Sequence, residues 1–378
     1  MKASRLLLLL LTIILVGGAV FVKKVNFTQE TLAGCQTIEH LNSNKPQCWE
    51  DLIDSSLKSG GIEQAFEIFE TLYASEPEFA GGCHAYAHKL GEATYQLLII
   101  GKDFYFPEQT AFCGYGFYHG LTETLIKTKG SKEAAKLCDL KKLQITQVLY
   151  DACYHGIGHG VLSSTAQDTN VWGNVQKMIN FALDQCIKAT NDPIQRSRCA
   201  AGVFMELGND YSEGKLQTAS IRNDPLSICR QQQEFGKLDC YTQMYGVLNQ
   251  IAAGQLKESA KFIEAIDEDN YAIEAIITLA ATSLNIDKKD LSEDISTCRS
   301  LQKRLHLPCI KGFSLAYMLK GTPGKEYQDA IEFCSNHSLS DDEKSACFEL
   351  ILKHSKSRYS SEKLQEIYRE IKKRSKNI

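Results

Sequence analysis

The sequence predicts an all-α fold: disulfide-pinned helical hairpin repeats, α-solenoid-like or an irregular bundle, behind an N-terminal signal anchor. Three observations predict it: fourteen cysteines spaced in couples, apolar residues at intervals of three and four, and an apolar run near the N-terminus.

The N-terminal element comes first. Lys2 and Arg5 precede an apolar run from Leu6 to Val22, and Lys23 and Lys24 close it. Such a run is at the short end for a bilayer span and somewhat long for the core of a cleaved signal. The expectation is an uncleaved anchor over 1–25, with Lys2 and Arg5 inside and the rest of the chain exported. Its partner would be the membrane, and the localisation membrane-anchored and extracytoplasmic. Gly17 and Ala19 keep a cleaved, secreted form open.

The hairpins follow from the cysteines. Cys35 and Cys48, Cys138 and Cys153, Cys186 and Cys199, Cys229 and Cys240, Cys298 and Cys309, and Cys334 and Cys347 form close couples; Cys83 and Cys113 form a longer one. An even number of cysteines in an exported chain reads as a disulfide framework. Nearest-neighbour pairing is the economical connectivity. The first member ends a helix-like stretch, as in Ser131 to Cys138, and the second opens another, as in Cys199 to Leu207. Each couple therefore pins the end of one helix to the start of the next.

Apolar spacing supports helices at Ile62, Ala65, Phe66, Phe69 and Leu72, and again at Phe262, Ile263, Ile266, Ile273 and Ile276. Stacked hairpins of roughly 35–50 residues resemble tetratricopeptide-like solenoids in architecture, although that consensus is missing. Glycine recurs three residues after a second cysteine, at Gly116, Gly156, Gly202 and Gly312. A helical glycine costs about 1 kcal/mol against alanine, so its repetition predicts close helix packing.

Composition limits the function classes. Net charge is −4, which argues against nucleic acid as a partner. From Lys353 onward nine basic residues face three acidic ones, a basic helical tail that suits either solvent or anionic lipid. The expected organisation is an anchor (1–25), an N-terminal helical region (26–80), a histidine-rich region with a metal site (81–210), a disulfide-repeat region (211–352) and the basic tail (353–378).

Five of the nine histidines fall in three motifs, each behind a cysteine: Cys83–Glu92 with His84 and His88, Cys113–Glu123 with His119, and Cys153–Gly160 with His155 and His159. His84 and His88, His88 and Glu92, His119 and Glu123, and His155 and His159 are all four apart. On a helix this spacing puts each pair on one face with β-carbons about 5–6 Å apart. Imidazole and carboxylate together suit zinc, iron, copper or manganese.

The expected ligands are His84, His88, His119, His155 and His159, with Glu123 as carboxylate ligand or general base and Glu92 as a further carboxylate. That many donors predicts a dinuclear centre. The plainer alternative is that these histidines are ordinary repeat residues. Against it, the position six after the second cysteine holds His119 and His159 but Met205, Gly246 and Leu315 in later repeats, so the architecture does not require histidine there. Three glycines within Gly156–Gly160 weaken any helix through the third motif.

The His-x3-Glu and His-x3-His pairs resemble those of hemerythrin-type di-iron bundles. The chain departs from that pattern in its disulfides, its glycines and the lack of a His-x4-Asp helix, for which Glu206 and Asp210 are the nearest substitutes. The resemblance implies a paired-metal centre; a metal with an open position could activate water for hydrolysis or bind oxygen, as a metal-dependent hydrolase or an oxygen-binding or oxidative enzyme, and metal storage or delivery without catalysis fits equally well. The alternative function is a non-enzymatic helical-repeat scaffold for another envelope protein. No covalent-haem motif, nucleophile elbow, phosphate loop or dinucleotide fingerprint is present.

Overall fold

The computed structural model describes Cys35 and residues 45–375, apart from positions 143, 218–220, 287, 289, 323 and 324. Among these residues the chain is helical throughout, with eighteen α-helices, two short 3-10 turns and no strand. Two compact units are formed, one ending at Tyr86 and one beginning at Ala87.

The first unit holds α1 (Lys45–Ser75), α2 (Pro77–Gly81) and the opening of α3 (Cys83–Ile99). Glycine at position 61 turns the chain within α1 through φ 78°, a conformation that costs other residues a clash with the following carbonyl. The apolar face at Ile62, Ala65, Phe66, Phe69 and Leu72 is buried as its spacing predicts. Trp49, Phe79 and Tyr86 close this core, with Phe79 and Tyr86 stacked 4.5 Å apart.

The second unit continues through α4 (Phe112–Lys129), α5 (Ser131–Lys141), α6 (Gln147–Ser164), α7 (Val175–Ala189), α8 (Pro193–Ser212), α9 (Ser227–Arg230) and α10 (Glu234–Gln243). It ends with α11 (Tyr245–Ile251), α12 (Leu256–Glu264), α13 (Asp269–Ser283), α14 (Ser292–Ser300), α15 (Lys303–Lys320), α16 (Glu326–Cys334), α17 (Asp341–Arg358) and α18 (Ser361–Ser375). Helix starts are written locally. Thr146 caps α6 by accepting from the Leu149 amide; Asp192 caps α8 with Pro193 at the first helical position; Ser340 and Glu343 form a capping box on α17.

Disulfides join Cys35 to Cys48, Cys138 to Cys153, Cys186 to Cys199, Cys229 to Cys240, Cys298 to Cys309 and Cys334 to Cys347. Cys83 and Cys113 are also disulfide-bonded, and no cysteine is free. In these pins of the second unit the first cysteine lies in one helix and the second is the seventh residue of the next, a turn further in than the couples predict. The framework marks an oxidising, extracytoplasmic environment.

The helices that carry the second cysteines pack in a row joined by α13, which has no cysteine: α4 on α6, α6 on α8, α8 on α10, α10 on α13, α13 on α15 and α15 on α17. This row does not run open like a solenoid. Helix α15 also meets α4, and α17 meets α6, so it closes on itself.

The membrane assignment is corrected. No helix among the described residues is long and apolar enough to cross a membrane, so the signal-anchor and transmembrane reading has no support there. Segment 1–25, on which it rested, lies outside the described residues.

Candidate metal centre

Glycines bring the histidine-bearing helices together. A β-carbon added at Gly91 would lie 2.0 Å from the Phe117 carbonyl oxygen, and one at Gly120 would lie 1.9 Å from that of His88. The same holds for Gly156 against the Tyr118 carbonyl at 2.7 Å, Gly158 against that of Cys199 at 2.0 Å, and Gly202 against that of His155 at 1.9 Å. No other residue fits at such points. Helices α3 and α4, α4 and α6, and α6 and α8 therefore meet backbone to backbone, with no side chain between them at these points. The third motif remains helical despite its glycines, because packing supplies what propensity lacks.

Helix α4 opens with Cys113, Gly114 and Tyr115 in left-handed conformation and becomes regular only after them. His119 stands on its first regular turns, and His155 and His159 stand one turn apart on α6. The three rings converge. One ligand nitrogen from each lies within 4.8 Å of the others. The ring of His119 is 4.2 Å from that of His159 and 5.4 Å from that of His155, centre to centre. His119 and His159 are only 4 and 3 % exposed, whereas His155 is half-buried.

Helix α8 completes the surroundings. His159 Nδ1 lies 2.8 Å from Glu206 Oε2, and Ser163 donates to Glu206 Oε1 at 2.9 Å. Burial alone would raise the Glu206 carboxyl, but the His159 bond and charge outweigh it and hold it below the usual range. Glu206 thus accepts from Nδ1, and in the neutral ring Nε2 of His159 is the nitrogen left to act as a donor to a metal. That Nε2 is 3.1 Å from Nε2 of His155, which in turn is 3.3 Å from Sδ of Met205.

The other expected ligands are not among the convergent group. His88 places Nε2 3.1 Å from Glu123 and Nδ1 3.2 Å from Glu92, and Lys127 binds the second Glu123 oxygen at 2.6 Å. Burial pulls the His88 pKa down, but the Glu123 bond and the charges of Glu123, Glu92 and Glu206 raise it overall. For Glu123, burial raises the carboxyl; hydrogen bonds from His88 and Lys127 prevail and bring it to about 2. His88, Glu92, Glu123 and Lys127 thus form a string of opposite charges in which both His88 nitrogens are engaged. His84 is exposed in the first unit and is not among the convergent group.

The tyrosines serve the core. Tyr150 and Tyr154 both donate to Asp139 Oδ1, at 2.9 and 3.1 Å, and Tyr118 contacts Thr110. His306 sits 2.7 Å from Glu343. Met205 is the neighbour that spacing alone does not pick out, whereas Glu206, the substitute for a His-x4-Asp ligand, stands beside the cluster as the partner of His159. The available signal for Met205 was its register, six residues after a second cysteine, where the two preceding repeats carry His119 and His159.

The arrangement is a cluster of three imidazoles able to hold a metal ion, in an all-helical disulfide-linked chain. No protein-family model, no curated protein and no solved structure matches this chain, so its function is argued from this geometry.

Proposed function

We propose that this chain is an extracytoplasmic metal-binding protein that holds a single transition-metal ion through His119, His155 and His159. The observation that carries the proposal is the convergence of one nitrogen from each ring within 4.8 Å. Metal–nitrogen bonds of about 2.0–2.1 Å at a tetrahedral angle separate two ligand nitrogens by roughly 3.3 Å. The Nε2 atoms of His155 and His159 stand at 3.1 Å, close to that value. Glu206 supports the reading further: it fixes the His159 tautomer with Nε2 toward its neighbours, the carboxylate–histidine arrangement that orients metal ligands.

One ion suits this donor set better than the two expected from the ligand count. His88, Glu92 and Glu123 engage one another, which leaves three convergent imidazoles. The oxidised cysteines offer no thiolate, so the imidazoles carry the binding.

The test is elemental analysis of the full chain, purified from an oxidising compartment without chelator and without a histidine tag. One equivalent of a transition metal is expected, lost in His119→Ala and His159→Ala variants that keep their helical content. A metal-free protein, equally stable in both variants, leaves only the scaffold alternative.

A further inference from the structure

The donor set extends beyond imidazole. Met205 Sδ lies 3.3 Å from His155 Nε2, the nitrogen that also stands 3.1 Å from His159 Nε2. A nitrogen and a sulfur bound to one ion at a tetrahedral angle are roughly 3.5 Å apart. The sulfur therefore stands at ligand spacing from His155.

The repeat explains how it arrives there. Six residues after the second cysteine, α4 carries His119, α6 carries His159 and α8 carries Met205. These helices pack in that order, with Gly158 and Gly202 at the α6–α8 contact. The same register on three consecutive hairpins thus supplies two imidazoles and one thioether, and His155 adds a third imidazole one turn before His159.

We propose that the metal is copper, with Met205 as the fourth ligand beside His119, His155 and His159. This rests on the metal-binding reading above and names its ion. Thioether sulfur is a soft donor that selects copper, whereas zinc takes nitrogen, thiolate and carboxylate. Four protein donors close the coordination shell, which suits holding and passing on an ion rather than activating water at an open position. Two donors, His155 and Met205, are only half-buried, so the ion reaches the site from their side, while His119 and His159 form its buried wall.

The experiment measures affinity of the full chain for Cu(I), supplied anaerobically against a chromophoric chelator, and for Zn(II) in a parallel competition. Met205→Leu keeps the side-chain volume and removes the sulfur. It should weaken Cu(I) binding by about tenfold or more while changing Zn(II) binding by less than about threefold. Met205→His should shift the preference toward Zn(II), a result that a change in packing alone would not produce. Unchanged Cu(I) affinity in Met205→Leu, or equal losses for both ions, overturns the copper assignment and leaves the three-histidine site standing. Failure of the unaltered chain to bind either ion overturns both readings.

Discussion

Glu206 shows what one side chain contributes without touching the ion. Its carboxylate holds His159 Nδ1 at 2.8 Å and is itself held by Ser163. Glu206→Gln retains the shape but weakens the acceptor, and a glutamine can present its amide nitrogen to the ring instead. Metal affinity should fall by about tenfold to a hundredfold with helical content unchanged. Titration of the purified variant with metal checks this, and an unaltered affinity would remove Glu206 from the site.

A second residue-scale prediction concerns stability. Glu343 is 1 % exposed and accepts from Arg299 and His306 while capping α17. The Arg299 bond is the main force on its carboxyl; burial opposes, and the Ser340 amide and His306 assist, so the pKa falls from 4.5 to about 2. A carboxyl with a lower pKa in the folded state stabilises above its unfolded pKa and loses that contribution as pH falls through the folded one. Because Arg299 is half-exposed, solvent screening limits the effect to about 1–2 kcal/mol. Glu343→Gln should therefore be less stable than the parent at neutral pH, and the gap should close as the pH drops from 4.5 toward about 2. Denaturant titrations along that range measure it; a gap independent of pH would assign the loss to packing.

Among elements, the glycine contacts decide whether the histidines meet. Gly202 admits α6 so closely that a β-carbon there would stand 1.9 Å from the His155 carbonyl oxygen. Gly202→Ala must push α6 and α8 apart, at a cost of about 1–3 kcal/mol. It should also weaken metal binding, because His155 and Met205 separate. Gly81→Ala is the control, since nothing lies within 4 Å of its β-carbon position; its effect should stay within about 0.5 kcal/mol. Thermal unfolding and metal titration of both variants test the pair. Equal behaviour would show that the close approach is not what assembles the cluster.

For the whole molecule, the disulfides tie neighbouring helices together. Cys138–Cys153 closes a loop of 15 residues and anchors the first part of α6, two positions before His155. Replacing both cysteines by serine should cost about 3 kcal/mol, chiefly by freeing the unfolded chain. The metal affinity should drop with it, because α6 loses the pin that sets its position against α5. Chemical denaturation beside the metal titration reads both effects, and a variant as stable as the parent would refute the role given to the pin.

Much of this architecture was legible in the chain itself. Cysteine couples, helical spacing and capping residues act over short distances, so local sequence suffices to read hairpins, their pins and the face on which His155 and His159 stand. Five histidines behind three cysteines also marked the region, and the glycines marked its tight packing. Position in three dimensions is another matter. Whether His88 meets His119 or pairs with Glu123, whether Met205 Sδ reaches His155, and whether the row of hairpins runs open or closes depend on contacts between residues tens of positions apart. Those contacts follow from crossing angles and backbone approach, which only the assembled helices define.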